Sequence, residues 1–419
     1  MVDRFSYTLF IAFCVLIFLA PLPMGGNRPM NWMWPMVLTN LLVAFAASSF
    51  LVRQSTSVVW RTAKVPIVCL GGVSIWIFLQ ALGVWDFSSW DQQATWVGLL
   101  KTWTYAGTFC LALFLIRTRD QLETLLWVIV AAGACQVLIT IALDQTGTYV
   151  NRNHFAGYME ISLAVAIGLM LSKFDRVERG NWRASLRGWI RVFLGPKIVI
   201  RVLIIILVIG LIVSRSRMGN LGFFVGLGIA GLIGLWTFRS VGRKVMIFFG
   251  SLLAIDVFLI GAFYGIDKLQ ARFEQLDSSL NLRTFLNEHS WLALQDHWLF
   301  GSGVGSYYAV YPSVRDHLTF GHVQHAHNDY AQFFVEFGIG SILLAMFVVY
   351  SAYTAIRVQV VRKSRFMRAV GFASLMAIIS LMFHATAEFN FQLTANASTF
   401  MVVLALPYLA LTLDRRSGA

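Results

Sequence analysis

Two imidazoles two positions apart, in His325-Ala326-His327-Asn328-Asp329-Tyr330, stand where a polar stretch of the chain gives way to an apolar run. An imidazole with an ordinary pKa near ~6.5 takes up or releases a proton at neutral pH. A second set of groups complements them: Arg215 and Arg217 in Ser214-Arg215-Ser216-Arg217, then Arg272, Arg283 and Arg152. Guanidinium forks match phosphate oxygens two at a time and stabilise negative charge growing on a leaving group. Together they suggest acid-base chemistry on an anionic substrate borne by a membrane.

Each of these residues has a plainer alternative. Arg215 and Arg217 sit between two apolar runs joined by almost no loop, where a guanidinium costs several kcal/mol unless it faces a wet cavity or an anion. Snorkelling to lipid headgroups would also satisfy them. Their i, i+2 spacing sends them to nearly opposite helix faces, so one faces the site unless Gly219 lets the turn unwind. Arg272, beside Glu274, fits a solvated helix face as well as a site. Arg152, in Asn151-Arg152-Asn153-His154, fits a helix start as well as a contact to a sugar.

The elements that must position these groups are apolar. With 58% hydrophobic and 13% charged residues and a mean hydropathy of +0.70, the chain cannot cover a soluble globule with charge. Runs long enough to cross a ~30 Å hydrocarbon layer recur near 7–22, 34–52, 65–84, 96–116, 122–142 and 155–172, then near 199–214, 219–237, 245–265, 329–355, 369–388 and 395–413. The expected fold is all-α, a single polytopic membrane domain over residues 1–419. It has about twelve transmembrane helices, both termini in the cytoplasm, and one large periplasmic helical loop over 266–328 between the ninth and tenth spans.

Charge sets the orientation. That layout puts 24 of the 33 basic residues inside and 14 of the 20 acidic residues outside, as the positive-inside rule requires. The net +13 therefore reflects topology and membrane lipids as partners, and nucleic acid is not expected. All eight histidines fall on the outer half. Cys14, Cys69, Cys110 and Cys135 lie in apolar runs without CxxC spacing and are expected in the core. The first run lacks a small-residue cleavage site, so it is expected to be retained.

In the outer loop, Leu269, Phe273 and Leu276 keep helical spacing. Phe285, Leu286, Trp291, Leu292 and Leu294 predict a second amphipathic helix ending near Leu299, which Gly301-Ser302-Gly303-Val304-Gly305-Ser306 breaks. Asn328 is a plausible N-cap for the next helix, with Asp329 in its first turn; His327 would then sit just outside it. Glu336 and Lys101, ionisable groups inside apolar runs, should face the bundle interior, with Glu336 expected to pair with an arginine of the 215–217 turn. His384 and Glu388, one turn apart, predict a stabilised helix end. The Trp32, Trp34, Trp85, Trp90 and Trp96 cluster predicts interface anchors.

Ser214-Arg215-Ser216-Arg217, then Arg283 with the Trp291–Ser306 segment, then His325-Ala326-His327-Asn328-Asp329-Tyr330 with nine residues between Asn328 and Gly338, together resemble the O-antigen ligase and polymerase superfamily over about residues 150–345. The ligases often continue this pattern to Gly, Thr or Tyr, whereas this chain has Ser341 with Gly340 one position early. That leaves a polymerase as the alternative to the preferred ligase. The resemblance implies a glycosyltransferase using no metal and no cofactor. It would move a glycan from undecaprenyl diphosphate to an acceptor sugar, in ligases the lipid A core, at the periplasmic face of the bacterial inner membrane, with inversion. His327, Arg217 and Arg283 would be catalytic, with Arg215, Arg272, His325, Asn328 and Arg152 binding substrate. Two other classes compete. His325-x-His327-x-Asp329 also resembles half of a dinuclear metallohydrolase motif, and the span number suits a secondary transporter, although no inverted repeat is evident.

Overall fold

A computed structural model describes residues 4–53, 58–173, 198–237, 276–315 and 323–413. Every regular element among them is helical. In chain order these are α1 (Arg4–Leu19), α2 (Pro29–Arg53), α3 (Val58–Thr62), α4 (Lys64–Leu82), α5 (Gln92–Leu115), α6 (Arg119–Leu143), α7 (Arg152–Ser172), α8 (Ile198–Val213) and α9 (Arg217–Thr237). They are followed by α10 (Leu276–His297), α11 (Tyr307–Val314), α12 (Asp329–Phe337), α13 (Ser341–Val361), α14 (Arg365–His384) and α15 (Thr394–Thr412). Nine segments among the described residues are long and apolar enough to cross a membrane, with α12 and α13 counted as one, and α1 and α8 are shorter apolar helices. The chain is a multi-pass membrane protein. The expected run at 245–265, and Arg272, Leu269, Phe273, His317 and His322 of the outer loop, lie outside the described residues.

The bundle is organised around α7 and α15, which are buried on nearly every side. A helix apolar all round has no preferred outer face, so neighbours enclose it. α14 packs along both α7 and α9, and α15 lies against α5, α13 and α14. Small residues set the spacing. A Cβ on Gly168 of α7 would lie 2.5 Å from the Ala373 Cβ of α14, and one on Gly226 of α9 would lie 1.9 Å from Ser380 Oγ. Backbones this close maximise van der Waals contact where lipid supplies no hydrophobic drive between helices.

Polar caps stop and start the helices at one end of the bundle. Asp91 accepts from Ala94 N at 2.9 Å to open α5, Asn151 accepts from Asn153 N at 2.8 Å to open α7, and Ser216 Oγ accepts from Gly219 N at 3.1 Å to open α9. Tyr308 of α11 donates to the same Asp91 carboxylate. This hydrogen bond holds the Asp91 carboxyl below its ordinary value.

The apolar run expected to continue unbroken from 329 to 355 is divided. Gly338, at φ 56° and ψ −136°, ends α12, and α13 restarts at Ser341. The carbonyls freed at the break find donors in the 299–303 loop and in α4. Ser302 N donates to Val335 O at 2.9 Å and Gly303 N to Glu336 O at 3.1 Å, while Gln80 Nε2 reaches Glu336 O at 2.9 Å. At membrane depth such a break persists only where protein satisfies the backbone. The glycine-rich loop is therefore a backbone partner for a broken span as well as the end of α10.

α10 departs from its predicted face. Leu286 and Ala293 are buried with Tyr307, Tyr311 and Val335, whereas Trp291 and Leu292 are exposed. Ser290, also buried, bonds Tyr307 Oη at 2.7 Å. The inward face is thus Leu286-Ser290-Ala293, which a count of large apolar residues passes over. The short α11 that supplies Tyr307 had no sequence expectation. Trp85, Trp90 and Trp96 are exposed, as interface anchors would be.

Candidate active site

Asn328 caps α12 as its sequence context suggests, accepting from Tyr330 N at 3.0 Å and Ala331 N at 3.2 Å. His327 stands just outside the helix in a left-handed backbone conformation, φ 51°, which costs a non-glycine residue about 1–3 kcal/mol unless its surroundings hold it. The holding group is Asp329. Its backbone N donates to Ala385 O at 3.0 Å and Glu388 O at 3.2 Å, and its carboxylate accepts from Phe391 N at 3.0 Å. Asp329 is therefore a buried clamp on the turn between α14 and α15, beyond the helix-dipole role expected of it.

That clamp brings Glu388 to His327. The buried Glu388 carboxylate lies 3.3 Å from His327 Nδ1, 2.5 Å from Asn153 Nδ2 and 3.8 Å from His154 Nε2. His384, expected to act with Glu388, instead bonds Glu160 on α7 at 2.6 Å. Four histidines that are scattered in sequence thus gather at the junction of α7, α12 and α14, each close to a buried acid or to the Phe389 ring.

Phe389 divides the two imidazoles of the motif. His325 stacks on its face at 4.3 Å, and His327 meets it edge-on at 4.8 Å. His325 also lies 3.3 Å from Gln332 Oε1, and burial pushes its pKa down to about 4, so the ring is neutral at pH 7. With His325 toward Gln332, His327 toward Glu388 and Asp329 on the Phe391 amide, the three side chains of the His-x-His-x-Asp string diverge. Among the described residues no three His, Cys, Asp or Glu side chains converge as a metal site would need.

The arginines reach this end of the bundle by packing. Arg215 sits in the α8–α9 turn with φ 53°, so the expectation that helix geometry sends Arg215 and Arg217 to opposite faces does not apply; both are exposed. Their turn rests on the histidine cluster. A Cβ on Gly219 would lie 2.5 Å from Ala156 Cβ and 3.3 Å from Glu160 Oε1, and Glu160 holds His384. Arg152 is exposed and directly precedes Asn153, which holds Glu388. Arg283 belongs to α10, one turn before Asn287, whose Oδ1 accepts from Asn328 Nδ2 at 3.2 Å.

A cavity of about 720 Å³ opens on the His325 side of Phe389. Leu70, Phe347 and Met401 line its apolar part, and Lys101, Glu336 and His325 mark its polar part. Glu336 was expected to pair with the 215–217 turn. It instead accepts from Gln332 Nε2 at 2.9 Å and interacts electrostatically with Lys101, because the loop plugging the α12 break keeps it on the cavity side. Lys101 Nζ also lies 4.6 Å from the centre of the Trp32 ring. Arg152, Arg215, Arg217 and His327 do not line this cavity.

Residues 202–348 match the O-antigen ligase family. The match runs from α8 to α13 and includes Arg215, Arg217, Arg283, His325 and His327. The match covers 147 of the 419 residues and, with the motifs quoted above, supports a relationship to the O-antigen ligase and polymerase superfamily. No curated protein matches the chain. Glu388, which meets His327, and Glu160, which meets His384, lie outside the matched segment, as does Asn153. Sequence reasoning assigned none of the three to the site. Glu160 carried a signal, a lone acid in the apolar run at 155–172; Glu388 and Asn153 sit in polar surroundings where nothing local distinguishes them.

Proposed function

We propose that the protein is an O-antigen ligase of the bacterial inner membrane, with the histidine end of the bundle facing the periplasm. It transfers a glycan from undecaprenyl diphosphate to the lipid A core oligosaccharide. The observation that carries the reading is His327 held against the buried Glu388, at the bundle end where the Arg215–Arg217 turn packs on the same cluster. His327 accepts the proton of the acceptor hydroxyl, whose oxygen attacks the anomeric carbon as the bond to the diphosphate oxygen breaks. The departing diphosphate keeps the electron pair. Arg217 and Arg283 take up its charge, with Arg215, Arg272 and Arg152 supporting the donor. Attack from the face opposite the leaving group inverts the anomeric centre, and no metal is needed where guanidinium groups supply the stabilisation. His325, neutral and turned toward the cavity, binds substrate, and Asn328 keeps its cap.

Complementation of a strain lacking its own ligase tests the reading, with the product scored as long glycan on lipid A core. His327→Ala, Arg217→Ala and Arg283→Ala should each lower transfer by about 10²-fold or more. Normal transfer by all three, correctly inserted, refutes it. Extension of polyprenyl-linked repeats without attachment to core would establish the polymerase alternative.

A further inference from the structure

The reaction proposed above needs a neutral His327 whose free nitrogen lone pair points at the incoming hydroxyl. An imidazole has two nitrogens, and the partner of one decides the state of the other. His327 sits at the end of a helix in a strained backbone conformation, and its side chain is partly exposed. Without a partner its ring would rotate and both tautomers would be populated. Glu388 lies 3.3 Å from Nδ1 and is itself buried and anchored. Asn153 donates to it at 2.5 Å from α7, and its backbone carbonyl accepts from Asp329 N at 3.2 Å.

We infer that Glu388 is the positioning residue for His327. It accepts the Nδ1–H hydrogen bond, leaves Nε2 free to receive the acceptor proton, and stabilises the imidazolium formed as the glycosidic bond is made. Asn153 fixes the carboxylate in turn. The inference rests on the proposed role of His327, and it extends the catalytic apparatus to residues of α7 and the α14–α15 turn, beyond the segment that matches the family.

Two consequences distinguish positioning from mere support of the fold. Glu388→Gln keeps size but loses charge, and should lower kcat about 10²-fold while the KM for donor changes less than about twofold, since the diphosphate is held elsewhere. Glu388→Asp keeps the charge and should recover part of that loss.

The measurement uses purified full-length protein in detergent, a labelled undecaprenyl-diphosphate glycan and lipid A core acceptor, with His327→Ala alongside. An inactive His327→Ala together with a Glu388→Gln of unchanged kcat overturns the positioning role and leaves the function standing. An active His327→Ala overturns the function itself. Should Glu388→Gln fail to insert, Asn153→Ala reads the same quantity: freeing the carboxylate should cost about tenfold in kcat, and no change there overturns the inference equally.

Discussion

Gly219 offers a sharp test of whether the arginine turn works from a fixed seat. It lies in the first turn of α9, two residues after Arg217, with its backbone N–H on Ser216 Oγ at 3.1 Å. An added Cβ would stand 2.5 Å from Ala156 Cβ, 3.1 Å from Ser216 Oγ and 3.3 Å from Glu160 Oε1. Carbon atoms rest about 3.5–4.0 Å apart, so Gly219→Ala demands roughly 1 Å of separation. α7 is enclosed by α6, α8, α9 and α14 and cannot yield, which leaves the start of α9 to move outward with Arg217. Overpacking of this kind costs about 1–3 kcal/mol, and a misplacement of about 1 Å at a reacting centre costs about 10²-fold in rate. Gly228 on the same helix is the control, since a Cβ there meets nothing within 4 Å; Gly228→Ala should match or exceed the parent in stability by up to about 1 kcal/mol. The assay is steady-state glycan transfer with thermal unfolding in the same detergent. Gly219→Ala and Gly228→Ala of equal activity would refute the idea that this packing positions Arg217.

Two further outcomes are expected. Gly338→Ala should be the more damaging to folding, because φ 56° with ψ −136° suits only glycine and the new Cβ would meet Leu299 O at 2.6 Å; a loss of about 3 kcal/mol or more, read as poor yield of monodisperse protein, checks this. His325 sets an acid limit on stability. Its folded pKa of about 4 lies below its ordinary 6.5, so the unfolded chain binds a proton first. Its contribution is complete above pH 6.5 and is lost as pH falls toward 4, at up to about 1.4 kcal/mol per pH unit. Thermal unfolding at pH 7.5 and pH 5 should show the loss, and His325→Gln should flatten it.

The sequence by itself determined the class of molecule and some of the local geometry of the site. Hydropathy permits only helices in most of the chain, because a backbone in lipid must satisfy its own hydrogen bonds. The cap at Asn328 and the position of His327 just outside α12 follow from local rules that need no partner. The arginine turn at Ser214–Arg217 was likewise legible, since charge at a short joint between apolar runs has few explanations.

What only the tertiary structure decided is which groups meet. Glu388 and His327 are far apart in sequence and come together because Asp329 clamps the α14–α15 turn; no periodicity encodes that contact. Glu336 went to the cavity and not to the arginines because a glycine loop plugs the break after α12, and hydropathy cannot register a break whose carbonyls are satisfied by a distant segment. The separation of His325 and His327 into different surroundings was also invisible in a string where they stand two residues apart. It rests on one aromatic ring, Phe389, placed between them by the packing of α12 against the turn that follows α14.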